Sequence, residues 1–329
     1  MKIVVLDGYR LNPGDLRWDE LIKLGEVIIF DRTPDDKILE RAQRAQLLLT
    51  NKTPLCAATM QQLPDLRYIG VLATGYDVID VKAATSQQVA VTNVPSYGTD
   101  SVAQFVFAQL FELCHQVGQH ARSVRQGAWS ANPDWCYWET PLVELAGKTM
   151  GIIGAGRIGM QTARIAHAIG MKVIAINGKG ETDRAVPFDS FRWVSRDELF
   201  RNSDVISLHC PLTAETESMI NKTHLGLMKS NAFLINVARG KLVNEIDLAH
   251  ALNERRIAGA ALDVLSTEPP ALENPLLHAP NCIITPHIAW ATREARGRLL
   301  DIAVDNVRSF LDRKPQNVVN CWQGYPATQ

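Results

Sequence analysis

The fold is decided by one stretch of the sequence, TMGIIGAGRIG, which runs from Thr149 to Gly159. Its first five residues have the pattern of a buried strand, and Gly154, Gly156 and Gly159 follow with the spacing G-x-G-x-x-G. Where such a loop joins a strand to a helix, the first glycine allows the tight turn and the second admits a pyrophosphate to the backbone. The third lets helix and strand pack closely, and the helix N-terminus offers N–H groups to the phosphates. The stretch predicts a dinucleotide-binding unit, in preference to a glycine-rich turn that serves packing alone.

Short apolar runs alternate with helical patterns on both sides of this stretch. Strands are predicted in a C-terminal series at 149–153, 172–176, 204–208, 232–237, 259–264 and 282–285, and in an N-terminal series at 2–6, 27–30, 46–50, 67–72 and 89–92. Strands that alternate with helices form parallel sheets that are covered on both faces. The sequence therefore predicts an α/β fold, with a doubly wound sheet of six strands preceded by a second α/β unit.

Length, charge and cysteine content exclude several classes of protein. The chain has 329 residues, which is typical of two domains, and its net charge of −1 gives no field that would attract nucleic acid. No apolar run approaches the length of a membrane span. The six cysteines (56, 114, 136, 210, 282 and 321) are scattered without a C-x-x-C pair. This spacing argues against a metal site or a disulfide framework and fits a reducing cytoplasm.

The residue that follows the second strand of the C-terminal series, at 172–176, bears on the choice between NAD and NADP. An acid is expected there to bind the adenosine ribose, but the strand at 172–176 is followed by Asn177. Asn can still bond a ribose hydroxyl, although it lacks the charge that repels a 2′-phosphate, and Lys179 and Arg184 could attract one. NAD is the expected cofactor, and NADP stays open.

Three polar residues follow three predicted strands at the edge where a parallel sheet binds ligands. Arg239, Glu268 and His287 come after the strands at 232–237, 259–264 and 282–285. Singly, each has an ordinary explanation, as a solvated or ion-paired Arg, a loop acid, or a structural His. Together, beside a dinucleotide loop, they predict hydride transfer to a carbonyl next to a carboxylate. Arg239 would clamp the carboxylate, His287 would give or take the proton, and Glu268 would orient the imidazole.

The motifs around these residues resemble those of the D-isomer-specific 2-hydroxyacid dehydrogenase family. The resemblance covers essentially the full length, through NVARG at 236–240, ALDV at 261–264 with Glu268-Pro269, and TPHIA at 285–289. It implies that Arg239, Glu268 and His287 are catalytic and that the protein holds no metal. The cofactor-binding residues that it implies are Thr99, Gly154, Gly156, Arg157, Ile158, Gly159, Asn177, His209, Cys210, Pro211, Val237, Ala238, Asp263 and Ala289.

The resemblance also assigns roles to some of these residues. Asp263 would bind the nicotinamide carboxamide, with Thr99 near the nicotinamide, while Arg157 and Ile158 would present N–H groups to the pyrophosphate. The segment 209–211 would flank the adenosine. The loop ATGYD at 73–77 resembles the family's substrate loop, in which N–H groups of Thr74 and Gly75 would help hold the substrate carboxylate. The substrate-binding residues would then be Thr74, Gly75, Arg239 and His287.

The family plan implies two domains with a cleft between them. A flavodoxin-like substrate domain would comprise residues 1–98 and 293–329, including an amphipathic helix at 293–311. A Rossmann domain for NAD or NADP would comprise 99–292. Its segment 118–147 is expected to be an irregular arm, and three of the chain's seven Trp lie there within ten residues. A local core would explain them, but a contact in a homodimer is favoured, because aromatic residues are enriched at interface cores.

The resemblance implies a small 2-oxo or 2-hydroxy acid as substrate. The short stretch at 135–145 is similar to glycerate dehydrogenases, also called hydroxypyruvate reductases, which favours hydroxypyruvate/D-glycerate or glyoxylate/glycolate. D-Lactate and phosphoglycerate are alternatives, whereas Glu268 argues against formate, because the related formate dehydrogenases carry Gln there. A non-catalytic NAD(H) sensor that resembles the transcriptional corepressors is a third possibility, and nucleic-acid binding has no support.

Overall fold

The computed structural model describes residues 1–176 and 188–324. They form two compact units, each built around its own parallel sheet. The first unit comprises Met1–Gly98 together with the C-terminal residues from Ala291, and the second comprises Thr99–Trp290.

The first unit contains a five-stranded sheet with the order β2-β1-β3-β4-β5, in which every adjacent pair is parallel. Its strands are β1 (Lys2–Val5), β2 (Glu26–Ile29), β3 (Leu47–Thr50), β4 (Tyr68–Val71) and β5 (Ala90–Thr92). Its first helices are α1 (Asp19–Ile22), α2 (Ile38–Ala42), α3 (Ala57–Gln61) and α4 (Val81–Ser86). Strands β3 to β5 are buried throughout, which explains their nearly continuous apolar sequence.

The second unit contains a seven-stranded parallel sheet with the order β12-β11-β10-β9-β6-β7-β8. Its strands are β6 (Thr149–Ile153), β7 (Lys172–Ile176), β8 (Phe191–Trp193), β9 (Val205–Leu208), β10 (Phe233–Asn236), β11 (Gly259–Leu262) and β12 (Cys282–Ile284). Its helices are α5 (Thr99–His115), α6 (Val117–Arg125), α7 (Arg157–Ala168), α8 (Arg196–Asn202), α9 (Lys222–Leu227) and α10 (Glu245–Asn253). Apolar residues of α5 and α7 cover one face, and those of α8 to α10 cover the other.

The structure confirms the predicted α/β class with two doubly wound parallel sheets, and it corrects two details. The expectation of six strands in the second sheet was wrong, because β8 is a seventh. It has only three residues with the charged Arg192 at its centre, which is too little for a strand pattern. The expectation that 118–147 is irregular was wrong for its first part, where α6 begins after the left-handed Gln116.

The last helix, α11 (Arg293–Leu311), belongs to the first unit and has the bounds predicted from its amphipathic pattern. An ion pair fixes it there, because the buried Arg296 donates to both carboxylate oxygens of the exposed Asp15 at 2.7 and 2.6 Å. Asn306 of the same helix donates to the carbonyl of Asn93 at 2.9 Å. The helix therefore completes the unit that the N-terminal strands begin.

Each sheet has one switch point, where the strand order reverses and a ligand site is expected. In the first sheet it lies between β1 and β3, and in the second between β6 and β9. Five neighbouring strands of the second sheet, β12, β11, β10, β9 and β6, each end in residues that the sequence predicts for the site. Parallel strands place all of these ends at one edge.

Candidate active site

The glycine loop leaves β6 at its carboxyl end and enters α7. Gly154 has a φ of +97°, and a Cβ there would lie 2.5 Å from the backbone nitrogen of Cys210. A Cβ on Gly159 would overlap the carbonyl oxygen of Gly154, so the helix can approach the loop only with glycine at this position. At Gly156, by contrast, a Cβ would have no atom of the described residues within 4 Å apart from those of its chain neighbours. The loop thus has no space for a side chain at Gly154 and Gly159, but it has space at Gly156.

The N-terminus of α7 supplies the donors for an anion. Gly156 is the N-cap of α7 and carries no side chain, so the N-cap residue makes no side-chain hydrogen bond to the first turn. The first N–H groups of a helix have no carbonyl partner within it and carry a partial positive charge. The open backbone and these donors fit the pyrophosphate of a nicotinamide dinucleotide. Asn177, which the sequence predicts at the adenosine ribose, lies outside the described residues.

The segment 209–211 follows β9 and borders the glycine loop. The backbone N–H of His209 donates to the carbonyl of Ile153 at 2.7 Å, and its Nε2 lies 2.9 Å from Oγ of Ser207. Burial lowers the pKa of His209 to about 3, so its imidazole is neutral at pH 7. Cys210 is also buried, which raises the pKa of its thiol. Pro211 is exposed beside them. The segment 209–211 therefore presents uncharged side chains beside the glycine loop, which suits contact with an adenosine.

Arg239 stands on a tight turn after β10. The buried Asn236 ties this turn at both ends, since it accepts from the N–H of Ala238 at 3.0 Å and donates to the carbonyl of Arg239 at 2.9 Å. A Cβ on Gly240 would overlap the backbone of Leu265, which brings this turn against the chain after β11. Arg239 is exposed, and its Nη1 donates to the carbonyl of Ala238 at 2.7 Å. Val237 and Ala238 fill the turn between strand and arginine.

Glu268 and His287 are brought together at hydrogen-bond distance. Oε2 of Glu268 lies 2.6 Å from Nδ1 of His287, and Oε1 accepts from the backbone N–H of Leu265 at 3.1 Å. Side chains from the ends of β11 and β12 thus form the carboxylate–imidazole pair that the sequence predicts. The contact to Nδ1 leaves Nε2 as the nitrogen that can exchange a proton with a substrate.

His287 has a left-handed backbone with a φ of +56°, which is uncommon for a residue other than glycine. Its N–H donates to the carbonyl of Thr285 at 2.9 Å, and its own carbonyl accepts from the indole nitrogen of Trp290 at 2.9 Å. These bonds hold the backbone in the conformation that aims the imidazole at Glu268. The sequence does not predict this role of Trp290, because the hydrogen bond depends on one indole N–H and a local turn that no motif marks.

Asp263 organises the segment that carries His287. This carboxylate is 1% exposed, and Oδ1 accepts from Oγ1 of Thr285 at 2.6 Å and from the N–H of Ile288 at 2.9 Å. Oδ2 accepts from the N–H of Ala289 at 2.8 Å. Burial raises the pKa of Asp263, against the effect of these hydrogen bonds. The resemblance placed Asp263 at the nicotinamide. In the structure its three hydrogen bonds all reach the histidine segment.

The remaining predicted residues lie on α5 and on the first unit. Thr99 is the first residue of α5, and Ser101 of the same turn donates to the carbonyl of Ala289 at 2.7 Å. Thr74 and Gly75 follow β4 in the first unit. Oγ1 of Thr74 donates to the carbonyl of Val94, and its own carbonyl accepts from the amide of Asn93, both at 2.8 Å.

Comparison with known proteins decides the family. Residues 107–289, more than half of the chain, match the sequence profile described as "D-isomer specific 2-hydroxyacid dehydrogenase, NAD binding domain". The chain belongs to this family. The predicted resemblance is thereby confirmed, and an NAD-binding domain is part of the chain.

Two curated relatives and one solved structure cover nearly all of the chain. It is 52% identical to a hydroxypyruvate reductase of Blautia hydrogenotrophica, over 97% of this chain and 100% of that one. It is 44% identical to a glycerate dehydrogenase of Methylorubrum extorquens, over 87% and 89%. The structure of an acyclic imino acid reductase in complex with NADPH and D-Arg is similar with a TM-score of 0.84. Its identity is 33%, over 97% of this chain and 100% of that one. Among the described residues, no helix has the length and apolar character of a membrane span.

Proposed function

We propose that the chain is an NAD(P)-dependent oxidoreductase that interconverts a small 2-oxo acid and the corresponding 2-hydroxy acid, with the D configuration where that acid is chiral. The proposed pairs are hydroxypyruvate with D-glycerate and glyoxylate with glycolate. The observation that carries the proposal is the contact of 2.6 Å between Glu268 and His287, at the sheet edge that also bears the glycine loop. The relatives named hydroxypyruvate reductase and glycerate dehydrogenase support the choice of substrates.

The residues of the site can carry out the proton chemistry of this reaction. When bound, the reduced cofactor supplies the hydride that adds to the carbonyl carbon. Nε2 of protonated His287 donates to the carbonyl oxygen, which becomes the hydroxyl, and the neutral imidazole is then reprotonated from solvent. Glu268 holds Nδ1 and balances the positive charge of the imidazolium. In the oxidative direction, neutral His287 takes the proton.

Arg239 is the proposed clamp for the substrate carboxylate. Its guanidinium is exposed, and one further bidentate interaction is available to its fork of N–H groups. Thr74 and Gly75 are the proposed backbone donors to the same carboxylate, and the bonds that Thr74 makes to Val94 and Asn93 fix its loop.

NAD is the proposed cofactor, with NADP as the alternative. The family description names NAD, whereas the similar imino acid reductase was solved with NADPH. An asparagine at position 177 accepts a ribose hydroxyl without repelling a 2′-phosphate. The proposed cofactor contacts are Thr99, Gly154, Gly156, Arg157, Ile158, Gly159, Asn177, His209, Cys210, Pro211, Val237, Ala238, Asp263 and Ala289.

A homodimer through the segment 118–147 is part of the proposal. Trp129, Trp135 and Trp138 are 51%, 86% and 65% exposed, so the structure gives them no local core. Exposed indoles at this density are typical of an interface. Sedimentation velocity tests this directly, because a dimer of the native chain and a monomer of the Trp135→Ser/Trp138→Ser variant are expected.

The cysteines support a cytoplasmic location. All six are free thiols in the structure, two of them exposed at Cys56 and Cys321. Free exposed thiols persist in a reducing compartment.

Initial rates of cofactor oxidation test the proposed function. We expect fast turnover of hydroxypyruvate and glyoxylate and slower turnover of pyruvate, each assayed with NADH and with NADPH. Arg239→Ala should lose roughly a hundredfold or more in kcat/KM with cofactor affinity retained, because the clamp acts on the substrate alone. The control Arg201→Ala removes an exposed arginine of α8 and should behave as the native chain. Tight NADH binding without turnover of any of the three acids would contradict the proposal and favour a sensor.

A further inference from the structure

Gln109 is a buried amide on an apolar helix face. It lies on α5 and is 3% exposed, between the buried Val106 and Leu110. Its Nε2 donates to Oγ1 of Thr285 at 3.0 Å, a residue 176 positions away in the sequence. The contact therefore reaches from the middle of a packed helix to the segment that carries His287.

The hydrogen bonds of Thr285 fix which end of the amide faces it. The hydroxyl has one hydrogen, and the charge-assisted bond of 2.6 Å to the carboxylate of Asp263 uses it. The hydroxyl oxygen can then only accept, so Gln109 must present its N–H group rather than its carbonyl oxygen. The resulting chain of donors runs in one direction, from Gln109 to Thr285 to Asp263.

This chain ends on the backbone beside the imidazole. Asp263 accepts from the N–H groups of Ile288 and Ala289 as well as from Thr285, so its carboxylate spans the residues on both sides of His287. The amide of Gln109 fixes the hydroxyl, and the hydroxyl fixes the carboxylate. The position of the imidazole thus depends on a residue that makes no contact with it.

Packing alone does not explain a glutamine at this position. Within the part of the chain that the structure describes, the buried Oε1 of Gln109 has no hydrogen-bond partner. A buried carbonyl oxygen without a partner is unfavourable. A methionine would fill the same space without that cost. What methionine cannot supply is the N–H donor to Thr285.

We propose that Gln109 is a positioning residue for His287, acting through Thr285 and Asp263. The proposal rests on the proposed function in so far as His287 is the proton donor. Its structural part, that Gln109 holds the segment 285–289, stands independently of which substrate the protein uses.

Two variants test this role. Gln109→Met removes the donor and keeps the length of the side chain, and Gln104→Met makes the same change at an exposed position of α5 as a control. A packing role predicts that Gln109→Met changes Tm without a selective loss of kcat. The positioning role predicts the reverse, a selective loss of kcat without a fall in Tm.

Hydrogen exchange and kinetics are measured on the same preparations. In Gln109→Met, exchange of a peptide covering Ile288 and Ala289 should accelerate about tenfold, while β9 exchanges at its native rate. The kcat with hydroxypyruvate should fall about tenfold, with KM for the acid within about threefold and Tm unchanged or raised, because small displacements of a reacting group slow the chemical step. Gln104→Met should match the native chain in exchange, kcat and Tm.

The outcomes separate the two proposals. Exchange at 285–290 and kcat both within about twofold of native in Gln109→Met would overturn the positioning role. An acceleration of equal size in β6 and β9 would also overturn it, since that would show general loosening. If the native chain turned over none of the acids but the local exchange still accelerated, the proposed function would fail while the positioning role survived.

Discussion

The two sheets differ in what lies at their switch points. Between β1 and β3, the buried carboxylate of Asp7 accepts from the N–H groups of Asn51, Lys52 and Thr53 at 2.7, 2.6 and 3.0 Å. Between β6 and β9, the corresponding loop contains Gly154 and Gly156, and the helix that follows begins without a side-chain cap. The first switch point is filled by an anion of the chain itself, whereas at the second no N-cap side chain occupies the helix N-terminus.

This difference shows why topology alone does not locate a site. A crevice at the carboxyl edge arises in any doubly wound sheet. Whether a ligand can use it depends on whether the nearby N–H groups are already paired. In this chain the carboxylate of Asp7 and the three glycines of the loop decide which switch point can bind an external anion. Substitutions that add or remove a carboxylate at each switch point test this comparison.

The largest effect is expected from giving the second switch point an anion of its own. Gly156→Asp places a carboxylate at the N-cap of α7, where the structure has room for it. The fold should be retained or slightly stabilised, because Asp is a favourable N-cap. NADH affinity, measured by fluorescence titration, should fall roughly a hundredfold or more through repulsion of the phosphates.

Gly156→Ala is the matched control, since it adds the Cβ without the charge. It should lose much less affinity than Gly156→Asp. A Kd for Gly156→Asp within threefold of the native value would show that the phosphates do not lie at this helix terminus.

The converse change removes the anion from the first switch point. Asp7→Ala leaves three N–H groups without their acceptor and should lower the free energy of unfolding by about 3 kcal/mol, measured in urea. Asp7→Asn retains one acceptor oxygen and should lose less. Added acetate should stabilise Asp7→Ala more than the native chain, because it can occupy the vacated donors. Native stability in Asp7→Ala would contradict the account of this switch point.

The two units should also differ in their response to mild acid. All eight histidines lie between His115 and His287, hence in the second unit. Burial lowers the pKa of His209 to about 3 and also lowers that of His224. In the first unit, by contrast, the hydrogen bond from the Arg296 guanidinium lowers the pKa of the Asp15 carboxyl.

The direction in which stability changes with pH follows from proton uptake by the unfolded chain. Below pH 6.5 the unfolded chain binds protons that folded His209 excludes, so stability is complete above pH 6.5 and falls as the pH drops toward 3. The slope is up to about 1.4 kcal/mol per pH unit for each such histidine. From pH 7.5 to 5 the second unit should lose roughly 2 kcal/mol, and the first unit should change little. Hydrogen exchange resolved by peptide measures both units at once, and equal losses would refute the prediction.

The smallest effect is expected from a hydrogen bond that occurs in both units, from a tryptophan indole N–H to a backbone carbonyl. The indole nitrogen of Trp290 donates to the carbonyl of His287 at 2.9 Å, and that of Trp322 donates to the carbonyl of Gln88 at 3.0 Å. Trp290→Phe should lower kcat about tenfold with KM nearly unchanged, because the left-handed His287 loses its restraint. Trp322→Phe should leave kcat at the native value. Similar kcat values for the two variants would show that the bond at Trp290 serves stability only.

The sequence was sufficient for features that are encoded locally. The glycine spacing, the amphipathic helix at 293–311 and the polar residues after three strands are each read from a few adjacent residues. β8 could not be found this way, because three residues centred on a charge carry no strand period. The polar sequence of α6 likewise concealed a helix.

The roles of Gln109 and Asp7 escaped the sequence for a different reason. Gln109 and Asp7 act through partners 176 and 44 to 46 positions away, and such pairings arise only when strands and helices have assembled. A buried amide in an apolar helix and an acid directly after a strand were the available signals. Neither reveals its partner.

The central claim is that the edge of the second sheet is a catalytic site with His287 as its acid. The most direct test is the pH dependence of kcat/KM for hydroxypyruvate reduction in the native chain and in His287→Ala. The account predicts a native rate that falls toward higher pH, because the reduction consumes a proton. His287→Ala should bind NADH normally, react roughly a thousandfold more slowly and lack that pH dependence. A variant that keeps the native pH profile, or reacts within tenfold of the native rate, would contradict the claim.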